Sequence, residues 1–306
     1  RGAPLIGVTA AYGIALAMND DPGEANLEAA CAQLAASRPT AVNLQWAIAR
    51  TRARLSDLQS AQRAELAWRE AANMADEDIA CNRAIGRHGL ELVAALHRQL
   101  GRPVNLLTHC NAGWLATVDW GTALAPVYCA NAAGIPVHVW VSETRPRNQG
   151  LLTAWELREE GIAHTVIADN AAGHLLQRGR VDLVVVGADR VSADGDVCNK
   201  IGTWLKALAA KEAGVPFYAA VPSSTMDWTI TDALREIPIE ERGGEEVRVL
   251  HGQHADGGVG AMRLLPVSAD VANPAFDVTP AHLVSGIITE RGIAAAEANA
   301  LSALLR

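Results

Sequence analysis

The sequence has no CxxC pair, no long apolar run and no cluster of basic residues interleaved with aromatics. Its five cysteines (Cys31, Cys81, Cys110, Cys129 and Cys198) are odd in number and widely scattered, which suits neither a disulfide framework nor a structural zinc site. A membrane-spanning helix needs about eighteen or more consecutive apolar residues, and none is available. The formal charge of −8 argues against extended contact with nucleic acid or an anionic membrane, although one phosphate can still be held by one or two cations and a helix start. The N-terminus lacks the charged, apolar, cleavable order of a secretory signal, so the cytoplasm is the expected compartment. Neither GxGxxG nor GxxxxGK followed by Ser or Thr occurs where a nucleotide would need it, and no cofactor is expected. His251, His254 and Asp256 sit in an irregular stretch with nothing to fix their spacing, so they read as solvated loop residues and no metal site is expected.

Half of the 306 residues are apolar, enough to core about two domains. The chain opens at Arg1 without a Met, in RGAPLIGVTAAYG, which reads as the middle of a domain, so a preceding segment is expected. Pro4 fits a first helical turn, and the amides there could hold an anion; equally, Gly2, Gly7 and Gly13 could serve only tight helix packing. Helical patterns follow over Leu27 to Ala36, from Pro39 or Thr40 onward, and from Arg54 to Gly101, with Asp76, Glu77 and Asp78 placed as if at a helix start.

After Gly101 the rhythm changes. Short apolar runs beginning near Val104, Val137, His164, Val181 and Phe217 alternate with helical stretches, which predicts a parallel, doubly wound α/β sheet. Residues 238–260, rich in Glu and Gly, read as including a surface loop. The stretch VDLVVVGADRVSADGDVCNK, from Val181 to Lys200, is the most informative. Val184, Val185 and Val186 do not alternate with polar residues, so both faces of this strand must be covered. A loop carrying Asp189 then leads to a helix expected near Asn199. In such sheets ligands gather at the carboxyl ends of strands, where His109 and Cys110, Glu143 and Arg145, Asp169, Asp189, and Ser223 and Ser224 would meet. Asp189 suits either a loop cap or an acid in a site. Cys110, in THCNAG, suits either an inert buried thiol or a nucleophile or proton-transfer base. A Cys-His hydrolase pairing Cys110 with His109 is disfavoured, since neighbours on a strand point apart.

Seven segments together resemble the methylthioribose-1-phosphate isomerase family, whose relatives include ribose-1,5-bisphosphate isomerase and regulatory subunits of the translation-initiation exchange factor. They are RGAPLIGVTAAYG, SRPTAVNL, THCNAGWLAT, ETRPRNQG, GADRV, GDVCNKIGT and NPAFDVTP, in that order. The resemblance implies a smaller, mainly helical N-terminal domain over 1–101 and a Rossmann-like catalytic domain over 102–306, usually in a homodimer. It makes Cys110 and Asp189 the catalytic pair. It places a sugar phosphate against Arg1, Gly2, Ala3, Arg38, Gln149, Asn199 and Lys200. The implied reaction turns 5-methylthioribose 1-phosphate into 5-methylthioribulose 1-phosphate. Alternatives within the superfamily are isomerases of 5-deoxyribose 1-phosphate or ribose 1,5-bisphosphate, and a non-catalytic regulatory subunit. The apolar THCNAGWLATVDW, with Trp114 and Trp120, favours an apolar 5-substituent, and the presence of both Cys110 and Asp189 favours an enzyme. The segment ETRPRNQG departs from the family pattern at Asn148 and shortly after Gly150.

Overall fold

A computed structural model describes residues 2–38 and 42–306. The first hundred residues are helical: α1 (Ala3–Asp20), α2 (Glu24–Ala35), α3 (Val42–Leu55) and α4 (Ser60–Leu100). Ile14, Met18, Leu27, Leu44 and Leu55 bury themselves at their centre. Asp76, Glu77 and Asp78 fall in the middle of α4 and start no helix. The Ala-rich sequence around them has no Gly or Pro to interrupt it, and α4 runs on to Gly101, whose left-handed backbone (φ 64°) ends it. Pro39 and Thr40 lie outside the described residues.

The rest alternates as expected: β1 (Val104–His109), α5 (Ala125–Ala132), β2 (Val137–Ser142), α6 (Gly150–Glu159), β3 (His164–Ile167), α7 (Ala171–Gln177) and β4 (Leu183–Val186). Next come β5 (Arg190–Ser192), β6 (Val197–Lys200), α8 (Thr203–Glu212), β7 (Phe217–Ala220), β8 (Met226–Asp227), α9 (Ala233–Glu236) and α10 (Glu245–Arg248). The chain closes with β9 (Val249–Gln253), β10 (Val259–Arg263), β11 (Phe276–Thr279), β12 (Gly286–Thr289), β13 (Gly292–Ala294) and α11 (Ala298–Leu305). Seven strands form the main sheet in the order β13-β12-β7-β4-β1-β2-β3. All pair in parallel except β13, which turns back antiparallel on β12. This is the doubly wound order, with its switch point between β1 and β4.

Strand β4 shows why its valines do not alternate with polar residues. Val184 and Val186 pack on one face with Phe217, Ala207 and Leu176. Leu183 and Val185 pack on the other with Leu106, Val139 and Leu157. The C-terminal half of α4 joins this second face through Ile85 and Val93, so one long helix belongs to both the helical layer and the sheet.

Two stretches differ from the sequence pattern. Asn199 and Lys200 end β6, which pairs antiparallel with β11 in a separate sheet (β11-β6-β5-β8); the next helix starts only at Thr203, after Gly202 turns the chain at φ 98°. Tertiary pairing with Phe276 and Asp277 overrides the local helical pattern here. Residues 238–260 include short helix α10 and much of the antiparallel hairpin β9-β10, on which His251 and His254 are exposed. Among the described residues no helix is long and apolar enough to cross a membrane.

Candidate active site

Cys110 follows β1 directly, and Asp189 lies three residues beyond β4, so the two flank the switch point of the sheet. They line one cavity of about 100 Å³ together with Gly2, Ala3, Arg38, Gln149, Asn199 and Lys200. Of the residues expected to bind substrate, only Arg1 lies outside the described residues. Six separate stretches of the chain therefore meet here.

The Cys110 side is fixed by polar contacts. Cys110 itself has φ 69°, a left-handed conformation that costs energy for any residue but glycine. Its N–H donates to Thr144 Oγ1 at 2.8 Å, and its carbonyl accepts from Thr153 Oγ1 at 2.8 Å. Thr144 is held in turn by Asp169, which accepts from the Thr144 and Arg145 N–H groups at 2.8 Å each and from Ser142 Oγ at 2.5 Å. Burial opposes charge on Asp169, but these bonds keep its carboxyl below the usual carboxylate range. His109 is fully buried; burial, then the Lys206 ammonium, push its pKa down, so it stays neutral and donates from Nε2 to Ile201 O at 2.8 Å.

Behind the loop after Cys110 stands Glu156, fully buried on α6. It accepts from Leu115 N at 2.6 Å and from Asn111 Nδ2 at 3.1 Å, and burial raises its pKa to about 7. A Cβ on Gly113 would come within 1.8 Å of Glu156 Oε2, so only glycine lets the loop close over this carboxyl. Gly2 is equally constrained: a Cβ there would meet the Ala116 carbonyl oxygen at 2.3 Å, which brings the start of α1 against the same loop.

The Asp189 side is fixed by enclosure. Its N–H donates to Cys198 O at 2.9 Å, tying it to β6. Burial raises its pKa, while Lys200, Arg38 and Arg242 pull it down and Glu240 pushes it up again. Lys200 is held by a bond from Nζ to Ala275 O at 2.9 Å, with Nζ 4.0 Å from the centre of the Phe276 ring. Burial lowers the Lys200 pKa, and the nearby Cys110 and Asp189 work against that shift. One ammonium thus lies close to both members of the expected catalytic pair.

The cavity wall also contains Asn111, Arg147, Arg242 and Phe276, which the sequence did not single out. Arg242 was hidden by its surroundings, since IEERGGEEV is rich in charge and glycine like any solvated loop, while Arg147 stands inside the quoted segment ETRPRNQG without a signal of its own. Among the other strand-end residues, Glu143, Arg145 and Asp169 stay outside the cavity wall, and Ser223 and Ser224 line a neighbouring cavity. Trp114 stacks edge-on with Trp155 at 5.3 Å, and Trp120 lies under Arg83; neither lines the site. The apolar part of the wall instead includes Pro4, Ala116, Leu152, Pro222 and Phe276.

Comparison with known proteins places the chain in a family. Residues 1–296 match the model of the initiation factor 2 subunit family. The chain belongs to that family. A methylthioribose-1-phosphate isomerase from Acidiphilium cryptum is 62% identical over 305 residues, covering 99% of this chain and 83% of its own length. The crystal structure of 5-methylthioribose 1-phosphate isomerase from Pyrococcus horikoshii OT3 is similar at 40% identity and TM-score 0.81, over 99% of this chain and 83% of that one. A structure described as translation initiation factor eIF-2B, subunit delta, from A. fulgidus is similar at 42% identity and TM-score 0.75, over 96% of this chain and 84% of that one.

Proposed function

We propose that the chain is an aldose–ketose isomerase converting 5-methylthioribose 1-phosphate to 5-methylthioribulose 1-phosphate, with Cys110 and Asp189 as its catalytic pair. The observation that carries this reading is a half-buried acid and a half-buried cysteine lining one cavity just past the ends of adjacent strands β4 and β1, with Lys200 close to both. Relatives at about 60% identity over nearly the whole chain bear the name of that activity.

The chemistry sets what each group does. Phosphate on the anomeric oxygen prevents the ring from opening as a free sugar does, so an acid must protonate the ring oxygen as the C1 to O bond breaks. Asp189 suits this role because burial favours its protonated form. Cys110 then moves the proton from C2 to C1 through an enol, while the Asp189 carboxylate takes the proton of the C2 hydroxyl, regaining the one it gave. Each such transfer typically contributes about 10²- to 10⁴-fold in rate. The reaction is redox-neutral overall. Running it in deuterated water tests the proton route: label at C1 is expected, and no label would replace it with a direct hydride shift.

Arg38, Asn199 and Lys200 supply charge and hydrogen bonds for the phosphate, with Gly2 and Ala3 presenting the start of α1. Gln149 lines the cavity with its buried Oε1 unpaired among the described residues, an acceptor that a sugar hydroxyl would satisfy. Arg1 is assigned to the same group of substrate contacts. Of the cavity's other two arginines, Arg147 is already paired with Glu246, with Nε to Oε1 at 2.8 Å, and so offers little to a second phosphate. The 5-methylthio sugar is therefore favoured over ribose 1,5-bisphosphate. In this reading residues 1–101 form a helical domain and 102–306 the catalytic one, and the protein acts in the cytoplasm as a homodimer.

Measuring kcat/KM on methylthioribose, 5-deoxyribose and ribose 1-phosphates and ribose 1,5-bisphosphate side by side tests the reading. The methylthio sugar is expected to lead. Turnover of none of them would overturn the enzyme and leave a regulatory subunit.

A further inference from the structure

Arg242 and Glu240 come from a segment between α9 and α10 that the reading above does not use, yet Arg242 lines the cavity. Glu240 bridges two arginines. Its Oε2 accepts from Arg242 Nε at 3.1 Å and Nη2 at 2.8 Å, and its Oε1 accepts from Arg38 Nε at 3.4 Å. One edge of the Arg242 guanidinium is thus occupied by the carboxylate, and Nη1 stays outside that pair. The same ring that supports Lys200 supports this arginine: Arg242 Cζ lies 5.4 Å from the centre of Phe276. Neither Glu240 nor Arg242 is open to bulk water, their side chains being 14% and 13% exposed.

A guanidinium fixed by a carboxylate on one edge and an aromatic ring on its face has lost most of its freedom before any ligand arrives. Ordering a long side chain is a main cost of using it in binding, so its remaining N–H groups are prepared for an anion. Arg38, Arg242 and Lys200 outnumber Glu240 when Asp189 holds its proton, so the cavity keeps a net positive charge for one phosphate even with Cys110 as a thiolate.

We propose that Arg242 is a further phosphate-binding residue of this cavity and that Glu240 is its positioning residue, holding Arg242 and Arg38 on either side of one carboxylate. The proposal deepens the reading of the cavity as a sugar-phosphate site and rests on it only for the identity of the sugar. Glu240 has a second effect. Asp189 is faced by Lys200, Arg38 and Arg242 as cations, by Glu240 as an anion, and by the thiols of Cys110 and Cys198. The negative charge of Glu240 helps keep the acid protonated, against the three cations.

The test uses the whole chain with two readouts. The first is direct binding of inorganic phosphate by calorimetry, which needs no turnover. Arg242→Ala is expected to weaken it by about tenfold or more, the loss of a charged hydrogen bond, and Arg242→Lys by less. With the isomerase substrate, KM should rise by a similar factor with kcat changed only a few-fold. The second readout is the pH profile. Glu240→Gln removes the anion, lowers the Asp189 pKa, and should move the alkaline limb of kcat/KM to lower pH; a purely structural role for Glu240 would leave that limb in place. Phosphate affinity unchanged in both Arg242 variants overturns the assignment of Arg242, and an unmoved alkaline limb in Glu240→Gln overturns that of Glu240. If phosphate binding responds while no aldose 1-phosphate is turned over, the inference stands and the isomerase reading falls.

Discussion

The two strand ends that build the site are held in opposite ways. The turn after β1 keeps Cys110 in a left-handed backbone by polar contacts, with Thr144 on its N–H and Thr153 on its carbonyl. The turn after β4 keeps Asp189 in place by a backbone bond to Cys198 and by enclosure, with the valines of β4 packed on both faces behind it. On the proposed roles the first turn would supply geometry, since a group that moves a proton between two carbons must sit within reach of both. The second would supply protonation state, because an acid must hold its proton until the substrate needs it. Strain and hydrogen bonds do the first, and loss of water does the second.

Experiments that separate these two devices follow, from large effects to small. Cys110→Ser and Asp189→Asn should each nearly abolish turnover, by about 10²-fold or more, with the fold intact by circular dichroism. Near wild-type activity in either variant would remove that residue from the chemistry. The two should differ in stability. A carboxyl whose native pKa is raised stabilises least above that pKa: its contribution is complete below the unfolded value and is lost as pH rises through the native one. Asp189→Asn removes that loss and should raise Tm at pH 8 and not at pH 4, whereas Cys110→Ser should leave Tm nearly level across that range.

Lys200→Ala should come next, with KM raised by about tenfold or more because one charged phosphate contact disappears. Unchanged KM and kcat would exclude Lys200 from phosphate binding. Thr153→Val removes the bond to the Cys110 carbonyl and should lower kcat more than it changes KM; a pure rise in KM would mean the clamp serves binding and not the placement of the thiol. Glu156, with its pKa raised from 4.5 to about 7, should stabilise the fold fully below pH 4.5 and lose up to about 3 kcal/mol as pH rises through 7. Glu156→Gln should flatten that slope in denaturant melts at pH 5 and pH 8, and an unaltered slope would show that another group titrates.

Much of this was legible in the residues, and the failures have physical causes. Strands β1, β4 and β7 announce themselves as apolar runs because burial on both faces leaves little room for polar alternation, whereas β2 and the edge strand β3 keep His138 and Thr165 among their apolar residues. The stretch before Asn199 and Lys200 misleads because pairing with β11, nearly eighty residues further on, decides its conformation. Asp76, Glu77 and Asp78 mislead because acidic residues mark helix starts only where the chain can break, and nothing in this part of α4 breaks it. Trp114 and Trp120 suggested the wall of the site, but their rings pack against Trp155 and Arg83 instead.

By itself the sequence determined the alternation of strand and helix, the residues that end each strand, and hence that Cys110 and Asp189 share one edge of a sheet. Those follow from local periodicity and from the turn residues between elements. The strand order that makes β1 and β4 neighbours was a tertiary decision, as was the docking of Gly2 against Ala116 that brings α1 to the cavity. So was the pairing of Glu240 with Arg38 across two hundred residues of chain. Such contacts depend on which apolar faces pack together, and short-range pattern has no record of that.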